Sequence, residues 1–138
     1  MIAPTHRLRK HADYQLVYKA SRKQFARQTS YFFMLRQPAA QSTPAHGAAL
    51  EGPRIGLTVG KAMGKAVDRN RIKRRMRAAV RAQLPLLTAP VDVVLHPKPS
   101  VIDVDFPTLQ REVAAVFRAI QQAVDRTSGV TRTLAPAQ

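Results

Sequence analysis

Along the 138-residue chain the apolar positions change period several times, and each change marks an element. Tyr14, Val17 and Tyr18 recur at helical spacing and predict a short helix over His11 to Ala20. Lys23 to Arg36 predicts two strands, with Tyr31-Phe32-Phe33-Met34-Leu35 as the apolar part of the second. From Arg54 to Val59 the pattern alternates, with Ile55, Leu57 and Val59 on one side, as in a half-buried strand. Ala66 to Leu84 is the clearest helix, ended by Pro85. Val91 to Leu95 is a nearly continuous apolar run, a well-buried strand stopped by Pro97 and Pro99. Thr108 to Arg126 is a second strong helix, striped by Leu109, Val113, Val116, Phe117, Ile120 and Val124, with Gly129 where a C-terminal cap belongs. The order helix, three strands, helix, strand, helix predicts an α+β sandwich, one small sheet with helices packed on it.

The segments between carry weaker patterns. Residues 1–10 read as an extended basic arm, with Arg7, Arg9 and Lys10. Gln37 to Pro53 is rich in Pro, Ala, Gly, Ser and Gln and reads as a mobile loop between strands (its core 38–53) rather than a domain linker. There is no internal repeat. The expectation is one domain over residues 1–129 and a disordered tail over 130–138.

Composition narrows the classes. A hydrophobic fraction of 45% argues against wholesale disorder. Zero cysteines exclude a disulfide scaffold, a zinc ribbon and a thiol nucleophile. No apolar run approaches the roughly 18 residues of a membrane span, and no apolar run follows the basic N-terminus as in a secretory signal. The expected compartment is the cytoplasm.

Charge changes the picture most. The chain has 23 Lys and Arg against 8 Asp and Glu, a formal net charge of +15. Residues 1–81 hold 18 of those basic residues and three acids (Asp13, Glu51, Asp68), and so the entire excess. One-sided charge repels itself, and a polyanion relieves it. Nucleic acid fits because each neutralised phosphate releases a condensed counterion. An anionic membrane surface is the rival, but it usually wants an amphipathic helix with Trp, Phe or Leu opposite the basic residues, and the chain has no Trp.

The charge concentrates on the helix from Ala66. At about 100° per residue, Ile72, Met76, Ala79 and Val80 share one stripe, which should face the sheet. Asn70, Arg74, Arg77 and Arg81 follow one another on the opposite side. Arg69 and Lys73 flank the stripe on one edge, Arg71 and Arg75 on the other. A guanidinium is a planar fork that pairs with phosphate in bidentate fashion, so three in register make a ladder suited to a nucleic-acid backbone. A merely solvated face mixes both signs, whereas this helix has only Asp68, at the end where the helix dipole favours an acid.

Catalytic signatures are missing. A protein nuclease usually needs several convergent carboxylates to hold metal, and here the acids are scattered. Asp103 and Asp105 are the only close pair, placed to cap the last helix. His6, His11, His46 and His96 show no HxxxH or HExxH spacing, and Asp92 and His96, four apart in a strand, lie about 13 Å apart. Gly60-Lys61-Ala62-Met63-Gly64-Lys65 lacks the spacing and the Ser/Thr of a phosphate loop. The expectation is no catalytic and no metal-binding residues in the protein.

The stretch Arg54-Ile-Gly-Leu-Thr-Val-Gly-Lys61, followed by Gly64-Lys-Ala-Val-Asp-Arg-Asn-Arg-Ile-Lys-Arg74, resembles the protein component of bacterial ribonuclease P. Arg69-Asn70-Arg71, then Ile72-Lys73-Arg74 and Arg77, is the most specific part. Arg7-Leu8-Arg9-Lys10, Asp13-Tyr14 and Val17-Tyr18 are similar to that family's N-terminal helix region, and the likeness covers roughly residues 6–124. The resemblance implies an α-β-β-β-α-β-α two-layer sandwich (ribosomal S5 domain 2-like). Its small four-stranded mixed sheet would carry a left-handed β-α-β crossover, where general chirality rules predict a right-handed one.

It also implies a division of labour. In that family the RNA subunit is the catalyst and holds the divalent metals, Mg2+ here, that cleave the 5′ leader from precursor tRNA. The protein binds the catalytic RNA and the leader, with no membrane and no obligate protein partner. By position, Arg69, Asn70, Arg71, Lys73, Arg74 and Arg77 face the catalytic RNA, extended by Lys61, Lys65 and Arg81. Tyr14 and Tyr18 occupy the aromatic helix positions of a leader cleft, where rings stack on single-stranded bases without demanding one sequence. Phe32 is the matching sheet residue, although a one-residue slip in register would put Tyr31 or Phe33 there instead. His6, Ala78, the long 38–53 loop and His96-Pro97 depart from the family pattern. The runner-up is a non-catalytic RNA-binding module, such as a ribosomal or RNA-chaperone protein; a membrane- or DNA-associated basic protein comes third.

Overall fold

Four strands pair into one mixed sheet in the spatial order β1-β2-β4-β3. The strands are β1 (Gln24–Phe25), β2 (Thr29–Leu35), β3 (Arg54–Leu57) and β4 (Val91–Pro97). The helices are α1 (His11–Ala20), α2 (Ala66–Gln83) and α3 (Phe106–Leu134). The structure, a computed structural model, describes residues 7, 8, 10–36 and 52–134, with side chains as far as Arg126. Among them, no helix is long and apolar enough to cross a membrane.

β4 is the central strand. It runs antiparallel to β2 and parallel to β3, and five of its first five residues are buried. Its alternation divides the sheet. Val91, Val93 and Leu95 pack in the main core with Tyr31 and Ile55, against Ile72, Met76, Ala79 and Val80 of α2 and the stripe of α3. Val94 turns to the other face and packs with Leu8 and with Val17 of α1. The sheet and the α2–α3 layer thus form the body of the sandwich, and α1 lies across the opposite face. The four residues expected as the apolar stripe of α2 are all fully buried and are the only buried ones in that helix.

β3 ends at Leu57 rather than Val59 and α3 starts at Phe106 rather than Thr108, and two further boundaries differ from expectation for a visible reason. β4 runs on to Pro97, opposite Thr29. β3 accompanies it only to Leu95, so at Pro97 the strand has one neighbour, the situation in which a strand tolerates proline. α3 continues through Gly129 to Leu134 rather than ending at a Gly129 cap, which also corrects the tail boundary at residue 130. A lone glycine costs a helix about 1 kcal/mol relative to alanine and does not terminate it by itself. The first proline beyond is Pro136. The start of α3 is capped as expected: the Thr108 N–H donates to Asp105 Oδ2 at 3.2 Å, and the Thr108 hydroxyl donates to the same carboxylate at 2.8 Å. The expected mobile loop falls mostly on residues 37–51, and the last part of the tail on 135–138; both lie outside the described residues.

Arg7 and Leu8 of the basic arm are docked. Arg7 bridges to Ile55, and the Leu8 N–H donates to the Ile55 carbonyl at 2.9 Å, so the arm extends the sheet beyond β3.

Candidate nucleic-acid interface

Register places a cross-strand row beneath α1. Gly56 pairs with Val94 and Val94 with Phe32, so all three share one face. Tyr14, Val17 and Tyr18 lie over this row. A Cβ on Gly56 would fall 2.4 Å from the Tyr14 hydroxyl oxygen, so only glycine lets that ring rest on β3. Val17 meets Val94. Tyr18 meets Phe32 edge to face, with ring centroids 4.9 Å apart at 75°. The Tyr14 hydroxyl donates to the Leu8 carbonyl at 3.2 Å. Tyr14, Tyr18 and Phe32 are therefore brought together, and register settles the choice on the strand: Tyr31 and Phe33 turn to the core face. All three rings of the cleft are half-buried, packed below and open above.

One member of the cleft was not foreseen. His96 lies 3.0 Å through Nε2 from the Tyr18 hydroxyl, and its ring centroid is 5.5 Å from that of Phe32. Burial, with the nearby positive charge of Lys23, lowers its pKa from the ordinary 6.5, so it is neutral at pH 7. Strand parity with Val94 was the available signal, but the identity of the face was not.

The same face carries the ion pairs found among the described residues. Asp92, fully buried, accepts from Arg36 at 2.7 Å and from Arg54 at 2.8 and 2.9 Å. Arg54 also reaches Asp13 of α1 at 3.5 Å, which ties that helix to the sheet. Burial raises the Tyr14 hydroxyl above its ordinary 10.0, as does Tyr18, against opposing pulls from Arg7, a backbone hydrogen bond and Arg77. The phenol stays protonated, and Arg77 of α2 is close enough to be felt there.

α2 presents the second surface. The chain enters it through a single 3₁₀ turn, Lys61–Met63, closed by Gly64 at φ +126°, a backbone conformation that favours glycine. Lys61, Lys65, Asn70, Arg71, Arg74 and Arg81 are exposed, and Arg69, Lys73 and Arg77 half-buried. Arg74, Arg77 and Arg81 line an open concavity of about 530 Å3, floored by Ala78 and Ala82. Among the described residues every ion pair lies in the Arg36–Asp92–Arg54–Asp13 group, so no cation of α2 has an acidic partner. Arg75 is the exception in kind. Its guanidinium donates to the Val101 carbonyl at 2.9 Å and to the Val104 carbonyl, and lies over the Phe106 ring. The fold itself uses this arginine to hold α2 to the turn before α3.

Among the described residues no three of His, Cys, Asp or Glu come together as a metal-holding group. The site as built can grip phosphates along α2 and stack bases beneath α1.

Residues 2–121 match the ribonuclease P family. The chain is 31% identical over 132 residues to the ribonuclease P protein component of Thermobifida fusca, covering 96% of this chain and 87% of that protein. It is 33% identical over 121 residues to that of a Cyanothece species, covering 82% and 90%. Its fold is similar to the solved RNase P protein of Staphylococcus aureus (TM-score 0.65, 23% identity, 84% and 95% of the chains). It is likewise similar to that of Thermotoga maritima (TM-score 0.66, 22% identity, 82% and 96%).

Proposed function

The chain belongs to the ribonuclease P protein family and is a subunit of ribonuclease P; from that premise we propose how its two surfaces share the work. α2 and its approach bind the catalytic RNA. Arg69, Asn70, Arg71, Lys73, Arg74, Arg77 and Arg81, with Lys61 and Lys65, contact its backbone. The cleft of Tyr14, Tyr18 and Phe32 holds the single-stranded 5′ leader of precursor tRNA. Arg77, whose charge is felt at the Tyr14 hydroxyl, couples the two surfaces electrostatically.

The observation that carries this reading is the unpaired cationic face. α2 has seven Lys and Arg and one acid, and none of those cations is ion-paired among the described residues. Charge left uncompensated at this density costs stability until a polyanion covers it. The aromatic row on the other face of the sheet suits an RNA strand of variable sequence, because every base has a π-face. Bond cleavage is assigned to the RNA subunit, in keeping with the scattered acids of the sequence. Among the described residues no three acidic or histidine side chains converge to hold Mg2+, and the divalent ions are assigned to the RNA and the substrate. This work takes place in the cytoplasm.

The test is the affinity of a holoenzyme, reconstituted with catalytic RNA, for precursor and for mature tRNA. Tyr18→Ala should weaken precursor binding by about 1–3 kcal/mol, the stacking contribution of one base, and leave mature tRNA unaffected. Equal losses for both would refute the leader cleft.

A further inference from the structure

Phe25 is the most exposed large apolar side chain among the described residues, at 73%. It sits on β1, a two-residue edge strand, where nothing in the fold requires an aromatic. Its direction follows from register. Phe25 pairs with Ser30 and Ser30 with His96, so the three form a second cross-strand row on the cleft face. That row is adjacent to Gly56–Val94–Phe32. Two strand spacings separate Phe25 from His96, about 10 Å. Lys23 lies between: its Nζ is 5.8 Å from the Phe25 ring centroid, and its charge acts on His96.

We infer that Phe25, with Lys23 beside its ring, is a further base-stacking position for the leader, carrying the cleft from Tyr18, Phe32 and His96 out to the edge of the sheet. This rests on the leader-cleft reading above. An exposed ring alone would serve any apolar partner. The occupant is single-stranded RNA because the ring is continuous with the aromatic row, has Lys23 against it and is flanked along the chain by Arg22 and Arg27; Glu112, the acid that acts on Arg27, is engaged by the Gln28 N–H. A protein edge strand pairing with β1 would bring its own side chains against that cationic rim.

The chain has no tryptophan, so Phe25→Trp gives a single-tryptophan reporter at a surface position that tolerates the change. The holoenzyme is titrated with precursors whose leaders grow one nucleotide at a time. Emission should be quenched only beyond a definite leader length, and mature tRNA should leave it unmoved. Phe25→Ala should weaken binding of those longer-leader precursors by about five-fold to 150-fold, the range for one stacked base, while Phe25→Tyr restores it. If Phe25→Ala binds every precursor like wild type while Tyr18→Ala loses leader preference, the inference falls and the cleft stands. If wild type shows no preference for a leader at all, the cleft reading falls and takes this position with it. Emission that shifts with protein concentration alone, without RNA, would reassign the patch to self-association and overturn the inference.

Discussion

Replacing Gly56 by alanine tests the cleft from beneath. The added Cβ would lie 2.4 Å from the Tyr14 hydroxyl oxygen and 2.6 Å from Cζ, where ordinary contacts are about 3.5–4.0 Å. The ring must therefore retreat by about 1 Å, and its hydroxyl is held by the Leu8 carbonyl. Overpacking of this kind costs about 1–3 kcal/mol. In a Tyr14→Ala background the obstruction is gone. There the change removes a flexible glycine from a strand and should be neutral or stabilise by about 0.5–1 kcal/mol. The coupling between the two positions is then about 1–4 kcal/mol, read from urea unfolding of the four proteins at fixed salt. Leader preference should fall in Gly56→Ala, because the displaced ring no longer presents its face. If Gly56→Ala costs the same with and without Tyr14, the ring does not rest on β3 and the geometry of the cleft is wrong.

Four further outcomes follow from the charged groups. Arg74→Ala with Arg77→Ala should reduce the salt slope of catalytic-RNA binding by about 1.4–1.8, or 0.7–0.9 per phosphate contact; an unchanged slope contradicts contact. Arg75→Ala should leave that slope alone and instead cost about 1–3 kcal/mol of stability, the range for a buried acceptor left unpaired. Asp92→Ala should cost about 3–5 kcal/mol in chemical denaturation, since it removes the buried carboxylate that Arg36 and Arg54 share; a loss under about 1 kcal/mol would show the network to be idle. His96 has a lowered pKa, so between that value and 6.5 the unfolded chain binds more protons, and stability falls as pH drops through this window. Glu112, raised by burial, tilts the other way, so the quantity to measure is the difference between wild type and His96→Gln, which should flatten the acid limb. Parallel curves would place His96 outside the fold's proton balance.

Much of this architecture was legible because it rests on periodicity. α1 spans the stretch that Tyr14, Val17 and Tyr18 marked, and the α2 stripe is buried residue for residue. Register was the limit. Phe32 and its neighbours Tyr31 and Phe33 are equivalent until β4 fixes which face each takes. His96 and Gly56 joined the cleft only through cross-strand pairing, between residues far apart along the chain (Ser30 with His96, Gly56 with Val94). Helical periodicity likewise placed Arg75 at the edge of the stripe without distinguishing it from Arg71. What separates them is the turn Pro99–Ile102, whose carbonyls, with that of Val104, happen to need a donor there. Asp92 reads as one more scattered acid until Arg36, just past the end of β2, and Arg54 of β3 converge on it.

The central claim is that this polypeptide grips RNA and leaves the chemistry to its RNA partner. The most direct measurement is 5′ cleavage of a precursor tRNA at low Mg2+ by the chain alone, by the catalytic RNA alone, and by both together. The account predicts no turnover by the chain, little by the RNA, and a large stimulation in the mixture that Arg74→Ala with Arg77→Ala diminishes. Sustained cleavage by the RNA-free chain, or a mixture no faster than the RNA, would contradict it.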